Sequence, residues 1–198
     1  MKKVNYGFKL QMQKLDYILN PRKGYFFAID AALGLKKIIE NPNIESSVYD
    51  TISMETSNYK TEVSVGFHIP IRSRSTFLIA NKSAKLWDKK IYENELYRSG
   101  GFEMMRGFEE DEILSSAYSI FTAEYRFLLS QKSFLQLFYD LGFVEKNIKT
   151  DRLMSFGTGL KFSTNTGIFS LAFAIGKTNQ QSIQFSNTKV HIGYSVVF

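Results

Sequence analysis

The sequence has no cysteine, 3 prolines, 2 histidines and 1 tryptophan in 198 residues. Without cysteine there is no disulfide framework and no thiolate metal site. That absence also suits an exported protein that avoids thiols. The few prolines and 13 glycines exclude a low-complexity chain. No run approaches the ~18 apolar residues of a transmembrane helix. No apolar core follows Met1-Lys2-Lys3 as it would in a secretory leader, so an exported form would already have lost its signal. A basic stripe is missing too. The net charge is +6 and the isoelectric point about 9.3, but the lysines and arginines are scattered, which sets nucleic acid aside as a partner. His68 and His191 lie on separate segments. Ser115, Ser116 and His191 make no set of nucleophile, base and orienting group, so no enzyme, cofactor or metal site is predicted.

What the chain has in quantity is aromatic residues, 15% of the total with 18 Phe and 11 Tyr. They fall into runs of period two, the mark of strands. Val190, Ile192, Tyr194, Val196 and Phe198 share one face, against His191, Gly193 and Ser195. Leu135, Leu137, Tyr139 and Leu141 oppose Gln136, Phe138 and Asp140. Phe27, Ile29, Ala31, Leu33 and Leu35 oppose Ala28, Asp30, Ala32, Gly34 and Lys36. Similar alternation covers 62–69, 121–127, 154–163 and 169–176. Thr76–Trp87 is mixed, and Val4–Tyr17 changes phase near Lys14, which reads as a bulge.

One face of these runs is bulky, while the other is rich in Gly, Ser and Ala. A soluble sandwich or lipocalin-like barrel buries its large residues inward and exposes polar ones. Small residues inside and large ones outside suit a narrow barrel in lipid. The mean hydropathy of −0.17 does not decide the matter, because the two faces cancel. Short turns at Asn20–Gly24, Pro70–Ser75, Ser130–Ser133 and Ser163–Gly167 alternate with longer loops at Ile39–Ser57, Lys89–Ser116, Phe143–Arg152 and Lys177–Thr188. The prediction is an all-β, transmembrane antiparallel β-barrel of about eight strands, in one domain spanning 1–198. The segments number eight or nine, and a closed antiparallel barrel needs an even count. Eight strands from Gly24 onward would close, leaving 1–23 as an extra strand that pairs elsewhere, for example with a second copy.

The loop Arg98–Ile113 carries Gly100-Gly101 and then Arg106-Gly107-Phe108. The next two segments place Glu124 and Asp140 on their inner faces. One arginine on a long loop and two inward carboxylates suggest a loop, 89–116, folded into the barrel and latched there. Alternatively, Arg106 is solvated and Glu124 pairs with Arg126 along its own strand, a contact of little energy. The acidic run Glu109-Glu110-Asp111-Glu112 reads as solvated surface, with binding of a hard cation as the other reading.

At the glycine pair and Arg106-Gly107-Phe108, the chain resembles the BamA/TamA outer-membrane assembly-factor superfamily, bacterial surface antigen type, and its sixth extracellular loop. Met105 stands where that family usually has Val or Ile. Asn20-Pro21-Arg22-Lys23-Gly24-Tyr25, Glu124-Tyr125-Arg126-Phe127, Phe138-Tyr139-Asp140-Leu141-Gly142 and Ser155-Phe156-Gly157-Thr158-Gly159-Leu160 extend the likeness over nearly the whole chain. The resemblance implies that Arg106 pairs with Glu124 and Asp140, that Gly107 allows a tight turn and that Phe108 anchors the loop. It also implies that Tyr194, Val196 and Phe198 form a C-terminal assembly signal. The family barrel has sixteen strands and is preceded by POTRA domains, whereas this sequence matches its C-terminal part and shows none. The implied function is an integral protein of the bacterial outer membrane, in contact with its lipid, that aids protein or lipid insertion with a periplasmic receptor. The alternative is a structural homodimeric barrel without insertase activity.

Overall fold

Wherever the sequence alternates, the chain is extended. The structure is a computed structural model that describes residues 2–37, 39, 55–146, 149–164, 166–179 and 183–196. Its strands are β1 (Lys2–Leu15), β2 (Gly24–Lys37), β3 (Glu55–Arg72), β4 (Ser75–Trp87), β5 (Tyr97–Ser99), β6 (Ile113–Ser115), β7 (Ala117–Leu128), β8 (Phe134–Lys146), β9 (Lys149–Ser163), β10 (Ile168–Lys177) and β11 (Lys189–Ser195). Nine of them form one antiparallel sheet in the order β1-β2-β3-β4-β7-β8-β9-β10-β11. Each strand lies beside its neighbour in sequence. β5 and β6 pair with each other in a small separate hairpin within the segment joining β4 to β7.

Several sequence expectations need correction. β1 pairs with β2 of its own chain through fourteen consecutive positions, from Lys2↔Lys37 to Leu15↔Gly24. No bulge interrupts it at Lys14. The register shift lies between Pro70 and Arg72 instead, where proline cannot donate to the ladder. Thr76–Trp87 lies wholly in β4, because its polar outer residues Asn81 and Ser83 bond to each other and to Ser119 of β7. The long loop expected at Phe143–Arg152 is mostly strand, since β8 and β9 stay paired out to Lys146↔Lys149. The loop expected at Ile39–Ser57 is shorter, because β3 already begins at Glu55; positions 40–54 lie outside the described residues.

The sheet is inside-out relative to a water-soluble one. Along β8, Gln136, Phe138 and Asp140 are buried, while Leu135 and Leu137 are exposed. Tyr6, Phe8, Ile79, Phe121, Leu137, Phe173 and Ile192 all lie on the bare outer surface. So much contiguous apolar surface is a liability in water and a requirement in lipid. On β1 it runs from Val4 to Met12, roughly 27 Å at ~3.4 Å per residue, which matches the ~25 Å apolar band of an outer-membrane barrel.

Contacts across the inner space show that the sheet curls. Phe26 of β2 and Lys161 of β9 line the same cavity of about 190 Å³. Asn20, in the turn after β1, donates from Nδ2 to the Gln131 carbonyl in the turn after β7 (3.4 Å). Among the described residues, however, β1 and β11 are not paired with each other. Each is an edge of the sheet.

Candidate functional site

The loop between β4 and β7 lies on the inner face of the curled sheet. Its central residue is Arg106, which is 8% exposed. The guanidinium forks onto Asp140 of β8, with Nε to Oδ2 at 2.9 Å and Nη2 to Oδ1 at 2.8 Å. Nη1 donates to Glu124 Oε2 of β7 at 2.6 Å. Both carboxylates face inward because Glu124 and Asp140 alternate with the outward Ala123, Tyr125, Tyr139 and Leu141. The planar fork of arginine matches a carboxylate in two bonds at once, which lysine cannot do. Burial alone would lower the affinity of Arg106 for its proton, but Asp140 and Glu124 outweigh it and raise that affinity.

The alternative pairing of Glu124 is present as well. Arg126 Nε donates to Glu124 Oε1 at 2.6 Å, so Glu124 bridges two arginines. Thr122 Oγ1 donates to Asp140 Oδ1 at 2.8 Å. The Arg106 guanidinium also lies 3.6 Å from the centroid of the Phe138 ring. Thr122 and Phe138 were not singled out as site residues from the sequence, although their inward register was the available signal.

Gly107 has φ +86°, and a Cβ there would sit 2.7 Å from the Gly176 nitrogen of β10. The contact is mutual, since a Cβ on Gly176 would lie 2.4 Å from the Gly107 carbonyl oxygen. Two glycines therefore let loop backbone press against strand backbone. The Gly107 N–H donates to His191 Nε2 at 3.0 Å, which ties the loop to β11. Met105 and Phe108 pack with Ile120, Val144 and Leu153 on the inner wall. Gly142 makes room for Met105, whose Sδ would be 2.8 Å from an added Cβ. Gly100 (φ +117°) and Gly101 (φ +81°) turn the chain where the loop enters. Gly101 exchanges backbone bonds with Phe108 and Met105. Of the acidic run, Glu109 is exposed and pairs with Lys189 of β11 at 2.6 Å.

A second buried charge cluster, unforeseen from the sequence, holds the start of the same loop. Lys36 of β2 donates from Nζ to Asp88 Oδ2 (2.8 Å), Glu95 Oε2 (2.8 Å) and the Lys90 carbonyl (3.2 Å). Lys3 of β1 reaches Glu95 Oε1 at 3.3 Å. Glu95 sits in a 3₁₀ turn, Glu93–Glu95, and accepts the Tyr92 N–H at 3.1 Å. Burial pushes the Glu95 carboxyl up, but bonds from Lys36, the Tyr92 N–H and Lys3 outweigh it and hold it below the ordinary range. Asp88 is likewise held low, with Lys36 and the Lys90 N–H opposing its burial. The only early signal was a lysine, Lys36, on an inner face.

The remaining predicted positions lie elsewhere. Tyr194 of β11 and Val196 just beyond its end are exposed, and Tyr194 Oη donates to Thr166 Oγ1 at 2.6 Å. Phe198 lies outside the described residues. His68 is buried on β3, and His191 lies on β11.

Comparison with known proteins adds one decisive match. The Omp85 superfamily domain aligns with residues 2–195, essentially the whole chain. The chain belongs to the Omp85 superfamily. Omp85 proteins are outer-membrane proteins concerned with assembly or translocation, and an all-β sheet with an apolar outer face is consistent with such a barrel. A search of curated proteins finds no match.

Proposed function

We propose that this Omp85 chain is an integral outer-membrane barrel that helps proteins or lipids enter the membrane, acting with a periplasmic receptor. The observation that carries the reading is the pair of edges, β1 and β11, unpaired among the described residues, on a sheet with an apolar exterior. Unpaired backbone groups in hydrocarbon cost several kcal/mol each. An edge of that kind attracts any strand able to satisfy it. The loop held by Arg106 keeps the sheet curled while its edges stay available. In this reading the ion cluster is a structural latch.

The test is the folding rate of a reporter outer-membrane barrel added to vesicles that contain the protein, with and without periplasmic extract. The proposal expects faster folding than in empty vesicles, and faster still with extract. No acceleration in either case would reject it.

The same edges favour a second reading, a structural homodimer in which each copy covers the other's edges. It predicts a dimer mass in detergent, after subtraction of bound detergent and lipid, with no acceleration of the reporter.

A further inference from the structure

The first and last strands of the sheet carry the same sequence pattern. β1 reads Lys3-Val4-Asn5-Tyr6-Gly7-Phe8-Lys9-Leu10, and the last segment reads Lys189-Val190-His191-Ile192-Gly193-Tyr194-Ser195-Val196. Both are lysine, valine, a polar residue, an apolar residue, glycine, an aromatic, a polar residue and an apolar residue. Both place the apolar members outward and the glycine inward. As first and ninth strands of an antiparallel order, they also run in the same direction. Either one can therefore pair antiparallel with β2.

We propose that the edge of β2 is a binding site for a strand of this pattern, filled here by β1 as an internal mimic of β11. When β1 leaves, β11 takes the site and closes an eight-stranded barrel. The change exchanges a sheet whose two edges are unpaired among the described residues for a ring with none, and it makes the strand count even.

The glycines carry the argument. Gly7 is required where it is, because a Cβ there would meet the Ala31 oxygen at 2.6 Å and the Ala32 Cβ at 2.9 Å. Gly193 has no such reason in this arrangement. A Cβ on it would find Ser170 Cβ at 3.8 Å, an ordinary contact. Against β2, in the register of Gly7, Gly193 would face Ala32 and a Cβ would not fit. The lysines agree. Lys3 pairs with Glu95 and Lys189 with Glu109, both on the inner loop. In the shifted position Lys189 would stand opposite Lys36, beside Glu95, as Lys3 does now. The narrow curl favours the chain's own β11 over that of a second copy. The loop that Lys3 touches is the loop that Lys189 touches, so the two edges already flank one segment.

The lack of cysteine makes a disulfide test clean. Phe8 lies opposite Ala31 in the observed register, so Phe8→Cys with Ala31→Cys reports β1 in the site. Tyr194→Cys with Ala31→Cys reports β11 there. In full-length protein in vesicles, oxidation is expected to trap a 31–194 disulfide within single chains as well as the 8–31 disulfide. Adding Gly7→Val overpacks β1 and should raise the rate of 31–194 trapping about tenfold. Adding Gly193→Val should abolish it while leaving 8–31 trapping intact. Heat-modifiable gel mobility shows which variants are folded, and the glycine-intact pairs decide the question if a valine variant is not. Absence of the intrachain 31–194 disulfide from chains that form 8–31 would overturn the proposal. So would a 31–194 disulfide found between chains alone, which would assign the site to a second copy.

Discussion

At the level of residues, the centre of the molecule is one arginine held by two carboxylates. Truncating Arg106 to alanine leaves Asp140 buried without its cation, and Glu124 with Arg126 alone. Breaking a buried pair in this way costs about 3–5 kcal/mol. Arg106→Ala should therefore lower the urea midpoint of unfolding and the temperature at which the folded gel band is lost. Unchanged values would mean that the cluster does not hold the loop. Gly107→Ala should also destabilise, because its positive φ and the neighbouring Gly176 nitrogen both exclude a Cβ. An unchanged unfolding midpoint would show that the backbone contact is loose. Glu124 and Asp140 were legible because period two fixes which side of a strand a residue faces, and Arg106 because the glycine-flanked Arg106-Gly107-Phe108 motif singles it out on its loop. That Glu124 serves both Arg106 and Arg126 was not legible, since the sequence offered the two pairings as alternatives and a carboxylate's two oxygens accept both at once.

Among the elements, the inner loop is fastened by two buried charge clusters, to β7 and β8 by Arg106 and to β2 and β1 through Glu95 and Asp88, beside its contacts to β11 through His191 and Lys189. The second fastening depends on pH. The Glu95 and Asp88 carboxyls are held below their ordinary values, so their stabilisation is complete above those values and is lost as pH falls through the lowered ones. The start of the loop should therefore loosen below about pH 4, measured as proteolysis by an acid protease between Asp88 and Glu95. Lys36→Met should bring the same cleavage at higher pH. Equal protection of both proteins across the range would remove this fastening from the account. The loop itself was legible from its length and glycines. Its attachment to β2 was not, because Lys36 and Glu95 lie far apart in sequence and no local pattern links them. The hairpin of β8 and β9 was read as a longer loop for a related reason. Pairing continues out to Lys146↔Lys149 through charged residues that signal a loop when read alone.

For the molecule as a whole, the sequence showed eight or nine segments, most of period two, and an inverted distribution of large and small residues; the sheet among the described residues has nine strands in sequence order. What alternation could not supply was the partner of β1. A strand with apolar residues on one side is complete as a pattern, and nothing in it names its neighbour. Membership of the Omp85 superfamily and the apolar outer face are both consistent with an outer-membrane β-barrel whose loop lies on its inner face. The most direct test compares two adjacent residues of β8. Leu137 faces out and is 60% exposed, whereas Gln136 faces in and is 7% exposed. Single cysteines at these positions, labelled with a small fluorophore in the folded protein in vesicles, can be challenged with a quencher attached to lipid tails. The account predicts strong quenching at 137 and little at 136. Equal quenching at both, or quenching at 136 alone, would contradict it.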